Sequence, residues 1–105
     1  MEVQYTQTIN DGQFTLFEND EIVGYIKYEY AKNGNIKASG TFIDEKYRGQ
    51  EIGKKLLDIL FEFAMKENVK IIPVCPYVIH QFNKYPTWNY LLDEEYLATQ
   101  KKLEN

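Results

Sequence analysis

The residues best suited to chemistry crowd into one segment, Asp44-Glu45-Lys46-Tyr47-Arg48-Gly49-Gln50-Glu51-Ile52-Gly53-Lys54-Lys55-Leu56-Leu57. Arg48, Lys54 and Lys55 bring positive charge to the point where a helical pattern begins. A helix start exposes unpaired N–H groups and the positive end of the helix dipole, so it can hold an anion. Gly49 and Gly53 lack a Cβ and let backbone approach a ligand closely. Together these features suit a pyrophosphate. The same spacing also describes a plain strand-to-helix loop with a solvated basic first turn, and two glycines four apart are common. Elsewhere, reactive side chains are few. Cys75 is the only cysteine and His80 the only histidine. A disulfide scaffold, a Cys-based zinc site and a His cluster are therefore excluded. A lone His titrates near neutrality and can act as a general base, although a helical His is more often structural.

The elements that must position these residues can be read from period and punctuation. Gln13–Phe17 and Ile22–Tyr30 read as strands around the polar turn Glu18-Asn19-Asp20-Glu21. Ala31-Lys32-Asn33-Gly34-Asn35 contains an Asn-Gly step, a hairpin signal because both residues tolerate positive φ. Ile36–Ile43 is the third strand of an antiparallel meander. Ile52, Leu56, Ile59, Leu60, Phe63 and Ala64 then fall at helical spacing, which predicts a helix over Gln50–Glu67 stopped at Asn68. Val69–Val74 reads as a short buried strand, its ladder interrupted at Pro73. A short helix over Tyr77–Lys84 closes before Pro86. A last helix opens at Asp93-Glu94-Glu95 and closes at Lys101-Lys102, matching the helix dipole at both ends. The order βββ-α-β-α-α indicates an α+β fold with a helix packed on a mostly antiparallel sheet.

Length and charge bound the rest. The chain has 105 residues, the size of one domain spanning residues 1–105. Nine Tyr and six Phe give a chain this short the means to build a core. A formal net charge of −4 argues against a nucleic-acid partner and permits a cationic one. The N-terminus has neither the positive nor the apolar region of a signal peptide, and no apolar run approaches membrane-spanning length. The expectation is a cytoplasmic protein without a membrane partner, and from its small size a monomer.

The strand–turn–helix at Arg48–Gly53 resembles the acetyl-CoA-binding motif of GNAT-superfamily N-acetyltransferases, written Arg/Gln-x-x-Gly-x-Gly/Ala. Arg48 matches its first position and Gly53 its last, while Gly49, Ile52 and Leu56 fit residues usual around it. Downstream, Pro73-Val74-Cys75-Pro76-Tyr77-Val78 resembles the Pro-x-Cys-Pro-aromatic-Val run of a minimal GNAT-like family of about a hundred residues. His80-Gln81-Phe82-Asn83-Lys84-Tyr85-Pro86-Thr87-Trp88 is similar to the end of that family's pattern. The resemblance covers about residues 12–90. Two positions depart from it. Glu51 stands where the motif has a glycine, and Gly40-Thr41-Phe42 stand where many relatives carry a His and an acidic residue.

The resemblance implies a GNAT-like fold with acetyl-CoA or coenzyme A as co-substrate. It places the pantetheine arm along the backbone of Phe42 and Ile43. It places the diphosphate on the turn Arg48, Gly49, Gln50, Glu51, Ile52, Gly53 and Lys54, with Asn83 and Lys84 contributing from the following helix. The implied activity is N-acetyl transfer to an unidentified amine, and the alternative is a coenzyme A-binding module with little or no catalysis. Cys75 would lie near the thioester, as an acyl-accepting nucleophile or a positioning group. The other reading of a free Cys is a small buried hydrophobe. Tyr77 and Tyr85 are candidates for the acid that protonates the leaving thiolate. A generic α+β interaction domain is the third reading.

Overall fold

The computed structural model describes the backbone of residues 1–104 and the side chains through residue 102. Five strands form one sheet in the order β1 (Glu2–Gln7), β2 (Asp11–Glu18), β3 (Glu21–Tyr30), β4 (Ile36–Ile43) and β5 (Ile71–Pro73). The first four are antiparallel neighbours, and β5 lies parallel to β4. Parallel pairing demands a crossover, and α1 (Ile52–Glu67) supplies it. After β5 come α2 (Pro76–Lys84), a 3-10 helix (Pro86–Leu91) and α3 (Glu94–Glu104). The meander and the mixed α+β class agree with the sequence reading.

Several boundaries differ, each for a local reason. β1 was not expected. All six of its residues are exposed, so only Val3 and Tyr5 carry a strand-like alternation. α1 begins at Ile52 and not at Gln50, because Glu51 adopts a left-handed backbone with φ 58°. β5 is shorter than Val69–Val74. Val69 N–H is spent on the Ala64 carbonyl at the end of α1, Lys70 N–H goes to Asn35 Oδ1, and Val74 and Cys75 N–H both converge on the Ala38 carbonyl. α2 starts one residue early, with Pro76 at a position that needs no N–H. In the Asn33-Gly34 step only Gly34 takes a positive φ, 88°. Asp93 caps the last helix from outside it, its carboxylate accepting from Tyr96 N–H at 2.9 Å.

The core lies between one face of the sheet and α1. Ile26, Tyr28, Ile36 and Ala38 meet Leu56, Leu60 and Ala64, all fully buried. Gly12, which pairs with Tyr28 across β2 and β3, leaves room for the Tyr28 ring; a Cβ there would lie 2.4 Å from it. The second flank of α1 receives α2 and the 3-10 helix, through Phe61 against Phe82 and Trp88.

What matters for function is where the sheet comes apart. β5 pairs with β4 only from Ile36↔Ile71 to Ala38↔Pro73, while β4 runs on to Ile43. A bulge at the β3–β4 register shift, with Tyr28 opposite Ala38 and Lys27 opposite Gly40, bends β4 at this point. Asp44 N–H bonds Val23 O, so antiparallel alternation turns the peptide groups of Phe42 and Gly40 toward β3. Those of Thr41 and Ile43 face the open edge that β5 has left.

Candidate functional site

The turn between β4 and α1 is built to leave N–H groups free. Asp44 starts it, its Oδ1 accepting from Lys46 N–H at 3.0 Å across a 3-10 turn, Glu45–Tyr47. Two left-handed residues follow, Gly49 (φ 85°) and Glu51 (φ 58°). Such backbones turn successive N–H groups toward one concavity. Glu51 then caps α1 without any side-chain hydrogen bond to the helix. A Ser, Thr or Asp here would satisfy a first-turn donor; Glu51 leaves Ile52, Gly53 and Lys54 N–H open. The charge around the turn is also available. Lys46 is held by Glu21 at 3.2 Å. Among the described residues, no carboxylate lies within ion-pair distance of Arg48, Lys54 or Lys84.

A groove of about 350 Å³ passes over this turn. On one side it is lined by Ile43, Tyr47, Arg48, Gly49 and the start of α1, and on the other by α2. Ile43, Arg48, Gly49, Glu51, Ile52, Gly53, Lys54 and Lys84, all named in the sequence reading, line this one groove. Phe42 is not part of the lining. Its ring stacks on Tyr25 at 5.3 Å, a register pair whose side chains lie on the face away from α1. Gln50 is exposed outside the groove, and Asn83 lines a separate depression with Pro86 and Tyr96. His80 is exposed and lies outside the groove lining.

Gly53 has a different use from the one expected. A Cβ at this position would lie 2.5 Å from the Tyr77 hydroxyl oxygen, so the missing side chain makes room for Tyr77 rather than directly for a ligand. Desolvation raises the Tyr77 phenol above its ordinary range, with the fields of Tyr85 and Asp58 adding to it. Tyr47, Gln81 and Tyr85 complete the lining. Tyr77, Gln81, Lys84 and Tyr85 recur at intervals of three to four and eight, one face of α2, and this period is the signal that could have gathered them.

Cys75 stands across the gap from the free end of β4. Its N–H donates to Ala38 O at 2.9 Å, and its thiol lies 3.7 Å from Thr41 Oγ1. The half-buried sulfur therefore marks the point where the two parallel strands separate. Thr41 was read from sequence only as the absence of a His or an acid; here it is the polar partner of Cys75.

As a test of whether an acyl-coenzyme fits, the site offers an uncapped helix start and unpaired cations in one groove, which reaches the free strand edge at Ile43. The first two match a diphosphate, and the free peptide groups of Thr41 and Ile43 match the amides of a pantetheine arm.

Comparison with known proteins agrees with this geometry. The profile of the GCN5-related N-acetyl-transferase family matches residues 13–91. No curated protein sequence matches the chain. Among solved structures, the chain is similar to a GCN5-like, inferred N-acetyltransferase from Staphylococcus aureus. Identity is 28%, over 86% of this chain and 87% of that one, with a TM-score of 0.63. It is also similar to an inferred streptothricin acetyltransferase from Bacillus anthracis str. Ames in complex with acetyl coenzyme A, at 23% identity and TM-score 0.57, over 66% of this chain and 40% of that one. A third likeness is to the ribosomal-protein-alanine N-acetyltransferase of Brucella melitensis biovar Abortus 2308, at 18% identity and TM-score 0.58, over 67% and 53% of the two chains. The last two likenesses concern the fold alone. With a family match over residues 13–91 and a sheet that splays beside an uncapped helix start, the chain belongs to the GCN5-related N-acetyltransferase family.

Proposed function

We propose that this protein is an acetyltransferase that takes acetyl-coenzyme A as co-substrate and passes the acetyl group to an amine. One observation carries the reading: the open N–H groups of α1 and the cations Arg48, Lys54 and Lys84 share one groove with Ile43, the last residue of the β4 edge that β5 leaves unpaired. The coenzyme supplies the activated acetyl thioester. The N–H groups of Ile52, Gly53 and Lys54 hold the diphosphate, with Arg48 and Lys84 neutralising it. Thr41 and Ile43 fix the direction of the pantetheine arm through peptide groups that no strand competes for. Tyr77 Oη, a protonated phenol seated over Gly53 in the groove lining, is the proton source for the leaving thiolate. Cys75 shapes the gap with Thr41 and has a positioning role in direct transfer.

A second reading, a coenzyme A-binding module with little catalysis, is favoured by one feature. Glu51 is the single carboxylate in the groove lining, and His80 is not part of it. The base that takes the amine proton is thus not supplied by a His or an Asp of the groove.

Free-thiol release from acetyl-CoA, followed across a panel of primary amines, polyamines and N-terminal peptides, separates the two. Amine-dependent release supports transfer; coenzyme binding without release from any amine supports the module. Mass spectrometry after incubation with acetyl-CoA adds the role of Cys75. Direct transfer predicts an unmodified thiol and turnover that survives Cys75→Ala, whereas an acetylated Cys75 on the path would overturn it.

A further inference from the structure

The two edges of the sheet are finished differently. On the β5 side the chain closes its own edge: Leu92 bridges Ile71, and Asp93 N–H donates to Ile71 O at 2.9 Å. On the other side β1 ends the strand order, all six of its residues are exposed, and no described segment pairs with its outer edge. Thr8 N–H donates to Asp11 O, which sets the alternation along the β1–β2 ladder. The peptide groups of Gln4 and Thr6 therefore face β2, and those of Val3, Tyr5 and Gln7 face outward. The usual protections of an edge strand are missing. Glu2–Gln7 holds no proline and no lysine, its register with β2 is unbroken, and its one charge, Glu2, stands at its end.

We propose that β1 pairs antiparallel with β1 of a second copy of this chain, about a two-fold axis at Tyr5, so that two sheets become one. The proposal is independent of the coenzyme reading, and it replaces the monomer that small size alone suggested. Three observations select this occupant. An open row of alternating donors and acceptors is completed by a strand. This strand is complementary to itself. Outward peptide groups must meet outward ones, and the register that achieves this about Tyr5 sets Val3 against Gln7, Gln4 against Thr6 and Glu2 against Thr8, so no like charges meet. The side chains also need cover. On the α1 face Tyr5 stacks on Phe14 at 4.4 Å and lies 5.6 Å from Phe63, yet it remains 36% exposed, and Val3 50%. The two-fold sets Tyr5 beside its twin and closes the end of this aromatic row. The groove over the β4–α1 turn lies at the far side of the sheet, so both copies keep it open.

One strand pair is a small interface, so association depends on concentration. Sedimentation equilibrium of the full chain between about 10 µM and about 1 mM should show monomer passing to dimer. Residue-resolved hydrogen exchange should show the Val3, Tyr5 and Gln7 amides gaining protection with concentration. Gln4 and Thr6, already bonded to β2, should not change. Val3→Pro removes an outward N–H and leaves the β2 ladder intact, as prolines on edge strands do. It should raise the dissociation constant of the dimer on the order of tenfold, for the two hydrogen bonds lost by symmetry. Gln7→Pro repeats the test from the other end of the strand, and exchange in the parent chain needs no variant if either substitution prevents folding. A mass that stays monomeric at about 1 mM overturns the proposal and leaves the edge to a strand of another protein. A dimer that survives both substitutions unweakened, or protection that rises at another surface, overturns it as well.

Discussion

At the scale of single residues, Glu51 and Tyr77 concentrate what is particular to this chain. Glu51 holds a left-handed backbone, φ 58°, which costs a non-glycine residue about 1–2 kcal/mol. Glu51 also lines the groove where an anionic ligand belongs, and brings a negative charge to it. Glu51→Gly relieves the strain and removes the repulsion, so calorimetry should show coenzyme A bound severalfold more tightly, on the order of 1 kcal/mol, without loss of thermal stability. Weaker binding would mean that Glu51 orders the turn. Tyr77 makes the complementary case. In Tyr77→Phe the ring still fills the space over Gly53, but the proton on Oη is gone. Steady-state kinetics should show kcat lowered by about a hundredfold, the lower range of general-acid effects, with KM for acetyl-CoA little changed. An unchanged kcat would remove Tyr77 as the acid. The reach of sequence reading is clear in these two. The motif residues Arg48, Gly49 and Gly53 were legible because backbone geometry writes itself as residue type. That Gly53 serves Tyr77 depends on how α2 packs on α1, which no local pattern encodes.

At the scale of elements, Asp93 ties the C-terminal helix to the sheet. Its buried carboxylate accepts from Asn33 Nδ2 at 2.9 Å, Asn35 Nδ2 at 2.7 Å and Tyr96 N–H at 2.9 Å, while its own N–H meets Ile71 O. Burial alone would raise its pKa. The hydrogen bonds from Asn35, Tyr96, Asn33 and Glu95 outweigh that and hold it below the ordinary carboxylate range. A lowered native pKa means the cap's contribution is complete above the unfolded-chain value, near 3.9. It is lost as pH falls below that, through the lower native value. Urea unfolding should therefore show Asp93→Ala costing about 2 kcal/mol at pH 7, for a lost cap and two stranded amides. The difference from the parent should shrink below about pH 4. A constant difference across that range would show that ionisation of Asp93 is irrelevant. Sequence placed Asp93 at the start of the last helix correctly, because capping is a local affair. It did not show the tie to Asn33 and Asn35, which are some 60 residues away and lie in a hairpin turn read for its φ angles. β1 escaped for the opposite reason, since a wholly exposed edge strand needs no apolar alternation.

At the scale of the whole molecule, function follows from one discontinuity in an otherwise regular sheet. β4 keeps its antiparallel partner β3 to Ile43 but loses its parallel partner β5 after Ala38. That loss leaves peptide groups free at Thr41 and Ile43, a few residues before the turn that presents the open end of α1. The formal charge of −4 gives no hint of an anion site, because the positive potential that matters is local to Arg48, Lys54 and Lys84. Among the described residues no helix is long and apolar enough to cross a membrane. The central claim is that this groove holds acetyl-coenzyme A, and titration of isotope-labelled protein observed through backbone amides tests it most directly. Saturable shifts should centre on Thr41–Lys54 and on α2 around Tyr77–Tyr85, with β1 and the Asn33–Asn35 turn unmoved. Shifts absent from Thr41–Lys54 at millimolar acetyl-CoA, or centred on another surface, would contradict the account.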